Sequence, residues 1–404
     1  MRLNYDAIII GSGPSGIAAA TELKQQGINN IVILERESQA GGVPRHCQHP
    51  TFGLLSFKRP MKGGAFVEKI LSLSAGVPVM TNTTVVEIRP EGKLLVSCDK
   101  GLVEMQAKRV LIATGARETP RHPRLVSGLR PQGVLTTGAL QQFIYLNRQK
   151  PCRNPVIIGS EIVSFSAIWT LRNAGIKAKA MIESQSRITA NRPLSLFPAL
   201  MGVPLHLNSK LVEIGGLNRV EYVVIERNGQ NERIECDAVI FTGEFTGENT
   251  LIRKSHLDFI ANTGCPVVDT NGRCSDAAYY ALGNMLHPAD MGDQCYLEGK
   301  VIGEAVARDL HQVSGAAINR IVIQHDNHIL FTAPGCVDKT AANSQFNLNI
   351  RVKQAISGQV TVTAGSTILY QGNHRCMPGR RIMLKNVNAE LIPLNATEIS
   401  VSIV

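Results

Sequence analysis

The chain has 404 residues, 44 % apolar and 18 % charged, the balance of a globular protein with room for two or three domains. Its net charge of +10 comes from scattered basic residues without interleaved aromatics, which argues against nucleic-acid binding. No apolar run approaches the ~20 residues of a membrane helix.

In chain order, residues 5–37 carry the strongest signal. An apolar run, Ala7 to Ile10, meets Gly11-Ser12-Gly13-Pro14-Ser15-Gly16, then a helical stretch, then a second apolar run closing on Glu35. Gly11 permits a tight strand-to-helix turn, Gly13 lets a diphosphate approach the backbone, and Gly16 lets helix and strand pack closely. The diphosphate would rest on the helix N-terminus, where unpaired N–H groups and the dipole favour an anion. Glu35 stands nineteen residues after Gly16, where a strand-end carboxylate accepts from ribose hydroxyls. Strand, glycines, helix, second strand and terminal acid agree, so a bound dinucleotide is expected. Because glycines and a proline break this segment and no small-residue cleavage site follows, it reads as fold and not as a signal peptide.

A loop opens at Gly41-Gly42 and runs from Val43 to Pro60. A helix is expected over 65–74, short strands over 77–80 and 84–88, and a polar hairpin over 94–103. Arg109 to Ala113 then reads as a buried strand turning on Thr114-Gly115. From Pro155 the strand–turn–helix plan repeats, with Gly159 at the turn and Glu183 at the end of the second strand. Two copies of one plan predict two doubly wound domains. A strand over 237–242, a short strand over 279–284 and a helix from Gly292 to about Leu310 follow. Beyond about Asn319, segments alternating apolar and polar residues predict an antiparallel β module. The expected boundaries are 1–120 and 262–318 for the first domain, 121–261 for the second, and 319–404 for the module. With no carboxylate pair, histidine–cysteine cluster or phosphate loop, the module is expected to carry no chemistry of its own and to pack on the body or on another subunit. Nine dispersed cysteines without a CxxC argue against disulfides, a zinc ribbon or a local iron–sulfur cluster, and suggest a reducing cytoplasm.

The first fingerprint, the Ala113-Thr114-Gly115 turn and the Gly283-Asn284 ending resemble the flavoprotein disulfide reductase superfamily over residues 1 to about 312. The resemblance implies a glutathione-reductase-like α/β fold, two Rossmann-like dinucleotide-binding domains, with FAD in the first. It carries cofactor contact to Gly11 through Gly16, Glu35, Arg36, Gly42, Val43, Arg45, His46, Val85, Ala113, Thr114, Gly115, Gly283 and Asn284. The family's closing Gly-Asp is here Gly283-Asn284, so no charge is brought to the ribityl chain. The redox cysteine pair is replaced by a segment with one cysteine, Cys47, and disulfide-reductase chemistry is not expected. The string GGVPRHCQHPTFG and residues 159–167 are similar to the FAD-binding α subunits of opine oxidases, D-hydroxyproline dehydrogenases and hydrogen cyanide synthases. Those subunits often end in a cysteine-rich iron–sulfur module, whereas the β ending here looks like flavoproteins associated with glycerol-3-phosphate dehydrogenases.

Three readings follow for the whole chain. The first is an FAD-dependent dehydrogenase subunit for a small amine, imino-acid or opine-like substrate, paired with a second dehydrogenase or electron-transfer subunit. The others are an NAD(P)H-dependent flavin reductase and an FAD-carrying accessory subunit of a glycerol-3-phosphate-type dehydrogenase. The second fingerprint speaks against the reductase: Glu161 and Ser164 replace its last two glycines, and a carboxylate there repels a pyrophosphate. Candidate catalytic groups are His46, Cys47 and His49. Either histidine can move a proton near neutral pH, Arg45 and His46 can instead contact the cofactor, and Cys47 can act only if its thiolate is stabilised. The segment offers too few ligands for a metal. The helix opening near Met291-Gly292-Asp293 is expected to aim its N-terminus at the flavin's pyrimidine edge and favour the negative charge gained on reduction.

Overall fold

The computed structural model describes residues 3–190, 194–312, 320–339, 345–378 and 381–404. Ala7 and the β-branched Ile8 to Ile10 lie between Ile31–Leu34 and the end of Gly101–Ile112, parallel to both. Such strands are covered on both faces, which is why they read as continuous apolar runs without alternation. Val79–Met80 extends the sheet on one side and Tyr279–Ala281 pairs on the other, again in parallel. The helices Pro14–Gln25 and Gly292–His311 pack against each other on one face. A Cβ added to Gly299 would fall 2.3 Å from the Ser15 carbonyl oxygen, so the backbones meet where only hydrogen fits.

The hairpin Thr84–Arg89 and Lys93–Cys98 runs antiparallel onto the start of Gly101–Ile112. That last strand is longer than its buried part suggests, because residues 101–104 lack a buried side chain and residues 104–108 alternate exposed and buried, while Val110 to Ile112 are buried throughout.

The second sheet is also parallel, in the order Leu205–His206, Ala180–Ile182, Pro155–Ile158, Ala238–Phe241, Val134–Thr136. Beside it lies an antiparallel layer built on Ser209–Gly215, Tyr222–Arg227 and Gln230–Glu235, which is absent from the expected elements. The two domains are joined by crossing segments, Ala116–Glu118 antiparallel to Phe245–Gly247. Ile252 and Leu257 pack in the first domain's core with Ile8 and Val110. We therefore place the second domain's end nearer Gly247 than 261.

The C-terminal module holds two sheets around one core. Its strands include Arg320–His325, Ile329–Ala333 and Cys336–Asp338. The boundary expected at 318–319 lies outside the described residues. Gly335 and Cys336 donate to the Val268 carbonyl, and Arg320 donates to that of Cys274, so the module is bound to the first domain through backbone groups. No helix among the described residues is long and apolar enough to cross a membrane.

Candidate functional site

One continuous cleft of about 2530 Å³ runs past the strand ends of both parallel sheets and reaches the C-terminal module. Strand ends Ile10 and Leu34 line it in the first domain, and Ile158, Ile182 and Phe241 in the second. The carboxyl edge of a doubly wound sheet is where such folds bind ligands, because strand order reverses there and leaves a crevice.

At the first loop, Gly11 has φ +104°, a conformation side chains rarely adopt, and Gly16 lies so close to the Gly11 carbonyl oxygen that a Cβ would fall 2.0 Å from it. Gly13 caps the helix, and a Cβ there would meet nothing within 4 Å. The space Gly13 leaves open faces the cleft. Glu35 is buried and braces the loop: one carboxylate oxygen accepts from Ser12 N at 3.0 Å and from the Ser12 hydroxyl, the other from Glu37 N at 2.9 Å. A carboxylate can accept further bonds, so Glu35 holds the loop and still presents acceptors to a ribose. The open cradle, free helix N-terminus and lining carboxylate fit a dinucleotide diphosphate and its ribose.

Pro14, Ser15, Gly42, Val43, Val85, Ala113, Thr114, Gly115 and Arg36 line the same cleft. Thr114 donates to the Glu248 carbonyl at 2.9 Å, and the Glu248 carboxylate faces Arg36 at 3.8 Å and Arg117. Gly283, at φ +75°, sits so close to Ser15 that a Cβ would meet its hydroxyl at 2.4 Å, which brings the closing motif beside the first loop. Asn284 lines the cleft, yet its amide is bound at both ends to the backbone of Asp290, at 3.1 and 3.0 Å.

The second loop repeats several bonds of the first. Gly159 has φ +111°, Gly159 N donates to the Ile182 carbonyl as Gly11 N does to that of Leu34, and the Ser160 hydroxyl donates to Glu183 as that of Ser12 does to Glu35. The capping residues, Gly13 and Glu161, share a backbone conformation, φ −72° and ψ 179° against φ −73° and ψ 172°. The difference is the side chain. Glu161 folds back into its own loop, where one oxygen accepts from the Thr242 hydroxyl at 2.9 Å, and Cβ atoms placed on Gly159 or Gly243 would collide with it. Burial pushes its carboxyl up to about 7, with Glu183 adding to the rise and Arg124 opposing it. Its side chain stands at the position where the first loop has the bare Gly13.

The segment after Gly42 divides. Cys47 and His49 line the cleft, whereas Arg45 and His46 do not. Arg45 pairs with Glu37 and donates to Gln39 at 3.3 Å. His46 is 3 % exposed with an unpartnered Nδ1, and burial, aided by Arg45, lowers its pKa to about 4. Cys47 lies 3.5 Å from the Val43 carbonyl oxygen and from Gln141 Oε1. Burial, with Glu118 nearby, pushes its thiol up to about 12, so it remains a thiol at neutral pH and its surroundings do not support a nucleophilic role. His49 bonds Thr51 Oγ1 at 2.8 Å, stacks on Phe52 at 5.1 Å and has its pKa lowered by burial.

Glu118 is a cleft residue that no sequence pattern singles out. It stands on a strand joining the domains and accepts from Gly138 N at 2.6 Å, capping the helix Thr137–Gln141, while burial raises its pKa. An isolated acid between two domains has no sequence motif. From the C-terminal module, Arg351, Lys353, Met377 and Arg381 also line the cleft. Strands that alternate to fill a core give no warning that their ends meet a distant loop.

The sequence profile of the pyridine nucleotide-disulphide oxidoreductase family matches residues 5–313. The chain is 25 % identical over 363 residues to dihydrolipoyl dehydrogenase of Rhizobium etli, covering 76 % of this chain and 73 % of that one. It is 26 % identical over 210 residues to an opine oxidase subunit of Rhizobium meliloti, covering 51 % of this chain and 43 % of the relative. The fold matches T. acidophilum thioredoxin reductase with a TM-score of 0.65 at 20 % identity, over 76 % of this chain and 99 % of that one. The chain belongs to the pyridine nucleotide-disulphide oxidoreductase family as a flavin-dependent oxidoreductase with FAD as its cofactor.

Proposed function

We propose that this chain is the FAD-bearing subunit of a dehydrogenase that oxidises a small amine, imino-acid or opine-like substrate, working with a partner protein and without a redox disulfide. The observation that carries this reading is the contrast between the loops: Gly13 leaves its cradle open and Glu161 fills the equivalent one. A flavin that nicotinamide cannot reach through the second domain must exchange electrons with something else. The similarity to the opine oxidase subunit supports the substrate class and the partner. A disulfide relay is disfavoured by Cys47, which has Gln141 and a backbone carbonyl for neighbours and a thiol raised far from reactivity.

When bound, FAD supplies the two-electron acceptor. The chain's own residues hold its diphosphate on the helix at Gly13 and its ribose at Glu35. The helix Gly292–His311 opens on the cleft at Met291 and Gly292, and its dipole favours negative charge there. We assign acceptance of the substrate proton to His49, because it lines the cleft and its lowered pKa keeps the imidazole neutral at neutral pH. His46, Arg45 and Cys47 are given supporting places in the loop.

The test is anaerobic mixing of the FAD-loaded protein with NADH and with NADPH while the flavin colour is followed. Neither nucleotide is expected to bleach it, and opine or imino-acid substrates are expected to do so in the complex with the co-purified partner. Fast bleaching by NADH or NADPH would establish a flavin reductase instead.

A further inference from the structure

Arg351 and Arg381 come from two strand regions of the C-terminal module and meet the first domain at one place, the turn 287–291 before the last helix. Arg381 Nη1 lies 2.7 Å from Asp290 Oδ2, in a pair whose side chains are 15 % and 7 % exposed. Arg351 donates to the Pro288 carbonyl. Among the described residues it has no ion pair, although it is close enough to Asp290 and Arg381 for both to act on its charge. Asp290 and Glu298 both act on Arg381, whereas Arg351 forms an ion pair with neither, and Lys353 lines the same cleft. His287, also in this turn, is engaged by Glu298 at 3.2 Å and offers Arg351 no negative charge.

A half-buried guanidinium whose charge is unmet is unfavourable unless an anion joins it. Its planar fork of five donors suits a carboxylate or a phosphate, and one backbone carbonyl leaves most of that fork free. The place also matters. Asp290 is tied on both sides to Asn284 of the closing motif, so the two arginines stand beside that motif.

We propose that Arg351, with Arg381 held beside it by Asp290, docks the anionic group, carboxylate or phosphate, of the molecule that this flavoprotein oxidises. The proposal rests on the dehydrogenase reading above. It makes the C-terminal module part of the substrate site and names the substrate as a small anion.

The experiment titrates full-length, FAD-loaded protein with benzoate and, separately, with inorganic phosphate, by calorimetry and by the visible flavin spectrum. Saturable binding of at least one is expected, and the stronger of the two identifies the head group. Arg351→Gln keeps a donor for Pro288 and removes the charge, so it should retain FAD and weaken that binding about tenfold or more. Arg351→Lys should recover part of the loss, which a merely structural tether would not produce. No binding of either anion, or equal affinity in Arg351→Gln, overturns the proposal. Calorimetry reads the anion site apart from the flavin's response to NADH, so this failure is distinguishable from failure of the dehydrogenase reading.

Discussion

Gly13 and Glu161 occupy the same backbone conformation in two copies of one loop, so a pair of reciprocal substitutions tests the division of labour. Gly13→Glu places a charged side chain in the open cradle and should abolish FAD binding; full flavin occupancy in the purified variant would refute the assignment. Glu161→Gly should leave FAD content unchanged and strengthen NADH binding in a titration, because it clears the second cradle. His46 gives a pH prediction. Its pKa falls from 6.5 to about 4 on folding, so the unfolded chain binds a proton between those values that the folded chain refuses. Stability is complete above pH 6.5 and is lost as the pH falls toward 4, by up to about 3 kcal/mol from this group. Denaturant melts of His46→Gln across that range should show a shallower decline than the parent.

The last helix is the element on which the flavin site depends. It packs its glycines on the first helix, is tied to the 43–60 loop through Ser56 and Asp293, bonded at 3.2 Å from the Ser56 backbone, and opens on the cleft. Gly299→Val would force a branched side chain against the Ser15 carbonyl. It should cost about 1–3 kcal/mol, seen as a lower Tm, and should speed flavin release because Ser15 belongs to the phosphate loop. An unchanged release rate would mean that the two helices adjust without moving the loop.

Across the whole molecule, the module is fastened to the first domain through Val268, Cys274, Pro288 and Asp290. A chain ending at Gln312 keeps both cofactor motifs and should retain FAD. It should also melt at lower temperature, since it exposes surface that the module covers, and bind neither benzoate nor phosphate. Calorimetry and flavin content measured on one preparation check both halves of this expectation.

The sequence by itself determined the paired Rossmann plan, because each unit is written within about thirty consecutive residues whose glycines, apolar runs and terminal acid act locally. It also marked Glu161 as the obstacle in the second loop, since the obstruction belongs to a single position of a known turn. The antiparallel layer of the second domain is not legible in the same way, because half-exposed strands such as Gln230–Glu235, with a single buried residue, carry little apolar signal. The tertiary structure alone decided which residues of the 45–49 segment face the cleft, that Glu118 stands between the domains, and that Arg351 reaches a carbonyl 63 positions away in sequence. Those facts depend on how separately formed elements pack, and side-chain burial, charge pairing and pKa are set by neighbours that chain order does not name.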